Sequence, residues 1–113
     1  MVRLSRKLYK RRHSWEATIP MPLISLLDRS KKWDIIYKYD NKVKKWFLSF
    51  SEHKKVKKDE NEAIRRHVYV RGSSFASTIP LPLMLGLDLN KKLVANFEFD
   101  NKTQLWTIEV QNE

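Results

Sequence analysis

The chain carries two copies of one sequence pattern. The segment that starts at Trp15, WEATIPMPLISLLDRSKKWDIIYKYDNKVKKWFLSF, is matched from Phe75 by FASTIPLPLMLGLDLNKKLVANFEFDNKTQLWTIEV, 60 residues later and without a gap. Identical residues occupy seventeen matched positions: Arg6/Arg66, Tyr9/Tyr69, Arg11/Arg71, Ser14/Ser74, Thr18/Thr78, Ile19/Ile79, Pro20/Pro80, Pro22/Pro82, Leu23/Leu83, Leu27/Leu87, Asp28/Asp88, Lys31/Lys91, Lys32/Lys92, Asp40/Asp100, Asn41/Asn101, Lys42/Lys102 and Trp46/Trp106. Two copies with so long a period do not make a solenoid, so the pattern predicts a dimer-like pair of units fused in one chain.

Each copy predicts the same order of elements, β-β-α-β-β. The first strand is predicted at 6–11 and 66–71, with Val68 and Val70 on its inward face. A turn and a second strand follow, and the paired prolines end that strand and begin a helix of less than two turns. Helices are predicted at 23–27 and 83–87. Each copy ends in a hairpin of alternating apolar residues, in which the aromatic side chains are predicted to pack in the core.

The copies define the predicted domain organisation. Repeat 1 covers residues 1–50, a charged linker covers 51–62 and repeat 2 covers 63–113. The linker, SEHKKVKKDENE, is almost entirely polar. Twelve extended residues span about 40 Å, so this linker is long enough for the two repeats to intertwine.

Positive charge is concentrated at the start of the chain. The formal net charge is +10, of which +9 lies in residues 1–50 and +1 in residues 63–113. The first twelve residues hold six cations and no acid: Arg3, Arg6, Lys7, Lys10, Arg11 and Arg12. A surplus of this size on a short chain predicts a polyanionic partner, nucleic acid above all.

Several function classes lack the residues they need. Cysteine is absent, only two glycines are present, and His13, His53 and His67 have no histidine at the matched position. No pair of histidines has metal-ligand spacing. We therefore predict no enzyme, no catalytic residue, no metal site and no cofactor. No apolar run approaches the ~20 residues that span a bilayer, and the basic N-terminus leads into no apolar signal stretch, so a cytoplasmic protein without membrane contact is expected.

The doubled S-[FW]-x-[AS]-T-I-P segment resembles a known family. Ser14-Trp15-Glu16-Ala17-Thr18-Ile19-Pro20 and Ser74-Phe75-Ala76-Ser77-Thr78-Ile79-Pro80, each followed by a short leucine-rich helix and an apolar hairpin, are similar to archaeal members of the AbrB/SpoVT/MazE-like family. The resemblance implies a mainly β fold with short helices, the swapped-hairpin (AbrB-like) β-barrel. Members are usually homodimers, so it also implies that the two repeats together form one pseudo-dimeric barrel and that the protein is a monomer. The family is dominated by DNA-binding transcription regulators and antitoxins.

The sequence departs from the family pattern at several positions. The glycine after the helix is replaced by Asp28 and Asp88, and the K-G-D turn by Lys31-Lys32-Trp33 and Lys91-Lys92-Leu93. A lysine is therefore expected at a turn position that favours glycine. The arginine that the family carries four residues before the proline is replaced by Glu16 and Ala76, and its basic helix residues by Ile24-Ser25 and Met84-Leu85.

The resemblance implies that DNA meets the face that carries the first hairpin turns and the short helices. We predict nucleic-acid contacts from eleven residues: Arg3, Arg6, Lys7, Tyr9, Lys10, Arg11, Arg12, His13, Arg66, Tyr69 and Arg71. Arginine can clamp phosphate oxygens or bind the guanine edge bidentately, and Arg3, Arg6 and Lys7 would extend the contact as a flexible basic arm. The alternative for Arg11 and Arg71 is that they are exposed strand residues paired with carboxylates.

We expect a double-stranded DNA-binding regulator or nucleoid-associated protein. An RNA- or ribosome-associated protein that uses the same basic half is an alternative, because charge alone does not separate DNA from RNA. A protein-interaction module of a transcription or toxin–antitoxin complex is another. Only Gln111-Asn112-Glu113 follow the last predicted strand, which is too short for the toxin-wrapping tail that antitoxins of the family carry.

Overall fold

Ten β-strands and two single helical turns make up the described part of the chain. The computed structural model describes residues 2–53 and 63–113. In repeat 1 the elements are β1 (Val2–Lys7), β2 (Tyr9–Arg11), β3 (Ser14–Thr18), α1 (Met21–Ile24), β4 (Trp33–Asp40) and β5 (Lys45–Glu52). In repeat 2 they are β6 (Ile64–His67), β7 (Tyr69–Arg71), β8 (Ser74–Ile79), a 3-10 helix (Leu81–Met84), β9 (Leu93–Asp100) and β10 (Leu105–Asn112).

The strands form two antiparallel sheets, each of which contains strands of both repeats. The larger sheet has the order β1-β9-β10-β5-β4-β6, and the smaller one the order β2-β3-β8-β7. Strand β1 of repeat 1 pairs with β9 of repeat 2, and β6 of repeat 2 pairs with β4 of repeat 1. The pairs β5–β10 and β3–β8 join the repeats in the middle of each sheet. Neither sheet contains the strands of one repeat alone.

The predicted first strand is divided in both repeats. Leu8 separates β1 from β2, and Val68 separates β6 from β7, so the chain leaves the large sheet at these residues and enters the small one. The backbone amide of Leu8 donates to the Leu93 carbonyl at 2.9 Å, and that of Val68 donates to the Trp33 carbonyl at 2.9 Å. These bonds satisfy the backbone at the corners, and both side chains are buried.

The prediction of a closed β-barrel is wrong. Both sheets are open in the described residues, with β1 and β6 as the edges of the large sheet and β2 and β7 as the edges of the small one. The chain passes directly from the large sheet to the small one at Leu8 and Val68, and among residues 2–53 and 63–113 no strand of one sheet pairs with a strand of the other. A mainly β fold, as predicted, is what the chain adopts.

One hydrophobic core lies between the sheets and is built from both repeats. Ile35 and Tyr37 of β4 are completely buried, as are their counterparts Ala95 and Phe97 of β9. Ala17 and Ile79 from the small sheet belong to the same cluster. The alternation that predicted these inward positions is confirmed. Val70 is the exception, because it lies beyond the corner at Val68 and is 67% exposed.

The turns follow local side-chain chemistry. Asp40 and Asp100 accept hydrogen bonds from the backbone amides of Lys42 and Lys102, at 2.8 and 2.9 Å, as predicted for these hairpin turns. The helices are shorter than predicted and begin two residues earlier, because Pro22 and Pro82 fall in the first turn itself.

The sequence predicts a glycine-like backbone conformation for Lys32 and Lys92, and the structure does not show it. Among the described non-glycine residues, positive φ values occur at Arg12, Lys44 and Gln104. Lys32 and Lys92 are not among them. The strained non-glycine positions therefore lie in the hairpin turns. After the 3-10 helix of repeat 2, the left-handed residue is Gly86, with a φ of +81°.

The exchange of strands makes a prediction about chain cleavage. A protease site placed within residues 54–62 and then cut should leave two fragments that stay together in gel filtration, with an unchanged circular dichroism spectrum. The reason is that β1–β9, β6–β4, β3–β8 and β5–β10 all join residues on opposite sides of the cut. A denaturing gel verifies the cleavage. Elution as two separate folded fragments would contradict the observed topology.

Candidate nucleic-acid interface

Two matched hairpins of the small sheet carry most of the predicted contacts. Tyr9 pairs with Glu16 and Arg11 with Ser14 in the first hairpin, and Arg71 pairs with Ser74 in the second. Because β3 and β8 are antiparallel, with Trp15 opposite Ile79, the two hairpin turns lie at opposite ends of the sheet. Strand β8 has six residues, so the turns are separated by about 20 Å of strand.

The first hairpin ends in a group of exposed cations. Lys10, Arg11, Arg12 and His13, which we call the first tip, are all solvent-exposed. Arg12 has a φ of +57°, and its counterpart Gly72 has a φ of +62°, so an arginine occupies a backbone conformation that glycine adopts more easily. In the part of the chain that the structure describes, no carboxylate forms an ion pair with any residue of the first tip. The tip therefore presents uncompensated positive charge.

The second hairpin is chemically different, because its arginine is neutralised. Arg71 Nη1 donates to Glu16 Oε1 at 2.7 Å, and its guanidinium lies 5.7 Å from the centre of the Tyr9 ring. The Glu16 side chain is only 9% exposed, against 35% for Arg71. The Tyr69 hydroxyl is buried in the same group. Burial raises the pKa of Tyr69 above its ordinary value, and the neighbouring Glu16 raises it further.

These four residues, Tyr9, Glu16, Tyr69 and Arg71, form what we call the Glu16 cluster. Ala17 lies in the main core, so strand alternation places Glu16 on the opposite face of β3. Since β8 lies between β7 and β3, Arg71 reaches across one strand to the carboxylate. For Arg71 the alternative interpretation, pairing with an acid, is the one that the structure supports.

A single sequence difference explains why the two arginines differ. The repeat relates Arg71 to Arg11 and Glu16 to Ala76. For Arg11, the position equivalent to Glu16 holds Ala76, which is buried and has no carboxylate. The sequence shows the difference between Glu16 and Ala76, but only the structure shows that Glu16 neutralises Arg71.

The remaining predicted residues lie on the large sheet. Arg3, Arg6 and Lys7 belong to β1, which is fully paired with β9, so the expected flexible arm is an ordered edge strand. Arg3 lies 3.6 Å from Glu98 and Lys7 lies 3.9 Å from Glu113, both at exposed positions. Pairs of this kind contribute little to stability and leave the cations accessible.

Two further arginines contact backbone oxygens. Arg6 Nη1 donates to the Ser5 carbonyl, and Arg66 Nη1 donates to the Arg65 carbonyl. Arg66 lies on β6, at the edge of the large sheet opposite to β1. The structure therefore groups Lys10, Arg11, Arg12 and His13, places the cations of β1 next to them along the chain, and separates Arg66 from both.

A polar cluster that the sequence did not indicate lies at the β6 edge. Asp34, His53 and His67 converge there, together with Arg65. The sequence spacing did not indicate the whole cluster, because Arg65 and His67 belong to repeat 2 and reach Asp34 only through the pairing of β6 with β4.

Comparisons with known proteins give no match: no protein-family model, no curated protein and no solved structure is similar to the chain. In the described residues, no helix has both the length and the apolar character needed to cross a membrane.

The Glu16 cluster makes a prediction about stability. A double-mutant cycle with Glu16→Ala and Arg71→Ala should give a coupling energy of about 1–2 kcal/mol, because the carboxylate is almost completely removed from solvent. The free energy of unfolding, measured by urea denaturation, is the readout. The same cycle on the exposed pair Arg3 and Glu98 should give less than about 0.5 kcal/mol. Equal couplings for the two pairs would show that burial of Glu16 does not matter.

Proposed function

We propose that the protein binds double-stranded DNA through the first tip, as a transcription regulator or nucleoid-associated protein. The observation that carries this proposal is the group of four exposed side chains, Lys10, Arg11, Arg12 and His13, with no ion-pair partner in the described residues. Cations that are not already compensated can release counterions from a phosphate backbone, which is the main source of affinity in such complexes.

We also propose that the fold is a fused form of the AbrB-like swapped-hairpin arrangement. Two observations support this. The matched strands that lead into the two Thr-Ile-Pro segments, β3 and β8, pair with each other, with Trp15 opposite Ile79 and Thr18 opposite Ala76. In addition, each repeat contributes its first strand to the other repeat's hairpin, β1 to β9 and β6 to β4. Such an exchange is what a family of intertwined homodimers would give after fusion into one chain.

The interface is expected to be one-sided. The second tip, which the repeat matches to the first, consists of Val70, Arg71, Gly72 and Ser73, and its arginine is bound to Glu16. A homodimer reads two half-sites that mirror its symmetry axis. Because this chain places its free cations at one end of the small sheet, we expect binding that needs no palindrome.

The salt dependence of DNA binding measures how many cations of this interface contact phosphates. Lys10, Arg11 and Arg12, with Arg6 beside them, provide four cations, so the logarithm of the affinity for a labelled duplex should fall with the logarithm of salt concentration with a slope of about −3 to −4. Arg11→Ala and Arg12→Ala should each weaken binding by roughly 1 kcal/mol and reduce the slope by about 1. Lys91→Ala, at an exposed turn, is the matched control and should have little effect.

The results separate the alternatives. Absence of duplex binding at low salt would rule out the proposed function. Equal losses for Arg11→Ala and Lys91→Ala would show that the first tip is not the interface. If a structured RNA outcompetes the duplex for the unmodified protein, the first tip is an RNA-binding surface instead.

A gain of binding provides an independent test. Replacing the second tip by the residues of the first, with Val70→Lys, Gly72→Arg and Ser73→His, should create a second DNA-binding end. Val70 is exposed, a Cβ at Gly72 meets no atom within 4 Å, and Arg12 already adopts the same backbone conformation in the first tip. The salt slope should become steeper by about 2, since two permanent charges are added. An unchanged slope and affinity in a folded variant would contradict the role given to the tip.

A further inference from the structure

Three possible metal ligands converge on the outer side of the large sheet. Asp34 on β4 lies directly opposite His67 on β6 and opposite Ser51 on β5. His53 follows Ser51 by two residues, so alternation places it on the same side as Asp34. Three neighbouring strands thus bring one carboxylate and two imidazoles to one point.

The distances between the ligand atoms are short. Asp34 Oδ1 lies 2.7 Å from His53 Nδ1 and 3.4 Å from His67 Nδ1. One potential ligand atom from each of the three residues lies within 4.8 Å of the other two. Zinc binds carboxylate oxygen and imidazole nitrogen at about 2.0–2.2 Å, which separates tetrahedral ligands by roughly 3.3 Å. Rotations of the two histidine side chains are therefore enough to place an ion between the three atoms.

Arg65 determines which carboxylate oxygen is available. Its Nε donates to Asp34 Oδ2 at 2.9 Å, and its Nη2 donates to Ser51 Oγ at 3.2 Å. One oxygen of Asp34 is thus held by the guanidinium, and the other faces both histidines. A hydrogen-bond partner that fixes the orientation of a ligand is typical of metal sites.

Exposure leaves room for further ligands. Asp34 is 2% exposed, whereas the side chains of His53 and His67 are 43% and 44% exposed. The carboxylate is at the base of the cluster and the imidazoles reach solvent, so water can complete the coordination. We propose that Asp34, His53 and His67 bind a divalent transition-metal ion of the imidazole-preferring kind, Zn²⁺ first among them.

The charge of the cluster selects the class of ion. Arg65 already compensates Asp34, so simple attraction gives a dication little affinity. The affinity must come from coordination by imidazole nitrogen. Such coordination favours Zn²⁺, Co²⁺, Ni²⁺ or Cu²⁺ over Mg²⁺ and Ca²⁺, whose preferred ligands are oxygens.

The other end of the sheet provides an internal comparison. The repeat relates Asp34 to Val94, His53 to Glu113 and His67 to Lys7. There, Lys7 and Glu113 form an exposed pair at 3.9 Å, next to a strand of the same length and pairing. The fold therefore needs no histidine at these positions, and the ligand set is an addition to one end only.

Metal binding would stabilise the pairing of strands from the two repeats. His67 belongs to an edge strand of repeat 2, and Asp34 belongs to the repeat 1 strand with which it pairs. An ion that binds the folded chain alone raises its stability in proportion to the logarithm of its concentration above Kd. Zn²⁺ should therefore raise the melting temperature, and this readout does not involve DNA.

The test is titration of the intact, metal-free protein with ZnCl₂ by calorimetry and with CoCl₂ by visible absorption. We expect one ion per chain, a Co²⁺ ligand-field band, and a higher melting temperature with Zn²⁺ than with Mg²⁺. The double variant His53→Glu, His67→Lys carries the residues of the other repeat, so it should stay folded while its Zn²⁺ affinity falls by more than about 100-fold.

His13→Ala removes the one histidine outside the cluster, and Zn²⁺ affinity should be unchanged in that variant. The proposal is overturned if the unmodified protein binds no Zn²⁺, if the double variant binds it equally well, or if His13→Ala abolishes binding.

Discussion

The pairing of strands between the repeats is the constraint on which the rest of this structure depends. The hairpins β4–β5 and β9–β10 meet through β5 and β10, and each outer edge is then covered by the first strand of the other repeat. Isolated two-stranded hairpins are marginal in water, whereas six paired strands over a shared core can bury residues such as Tyr37 and Phe97 completely. Stability is therefore a property of the two repeats together.

The presence of both repeats in one chain allows matched positions to take different chemistry. The same turn carries Arg12 in one repeat and Gly72 in the other, with nearly equal φ. The same place in the small sheet holds Glu16 or Ala76, which decides whether the opposing arginine is neutralised or exposed. In a homodimer, each such change would occur twice. Here a nearly symmetric backbone supports an asymmetric surface.

The excess positive charge is distributed over more of this surface than the first tip alone. The ion pairs of Arg3 and Lys7 are long and exposed, so solvent screens them and both cations still contribute to the potential around the molecule. The pair between Arg71 and Glu16 differs because the carboxylate is nearly buried, and it is better understood as part of the packing of the small sheet. Arg3 and Lys7 can therefore attract a polyanion, whereas Arg71 stabilises the small sheet.

The features that the amino-acid sequence determined by itself are those with a local cause. Alternating apolar residues specified the hairpin strands and their inward faces, and Asp40 and Asp100 specified their turns. The internal match specified equivalent elements in both repeats. Tertiary structure decided the rest, because it involves residues far apart in the chain. The corners at Leu8 and Val68 exist because a single strand must serve two sheets. The pairing of Arg71 with Glu16 and the contact of Asp34 with His67 require strands of different repeats to lie side by side, and sequence spacing does not indicate which strands of the two repeats become neighbours.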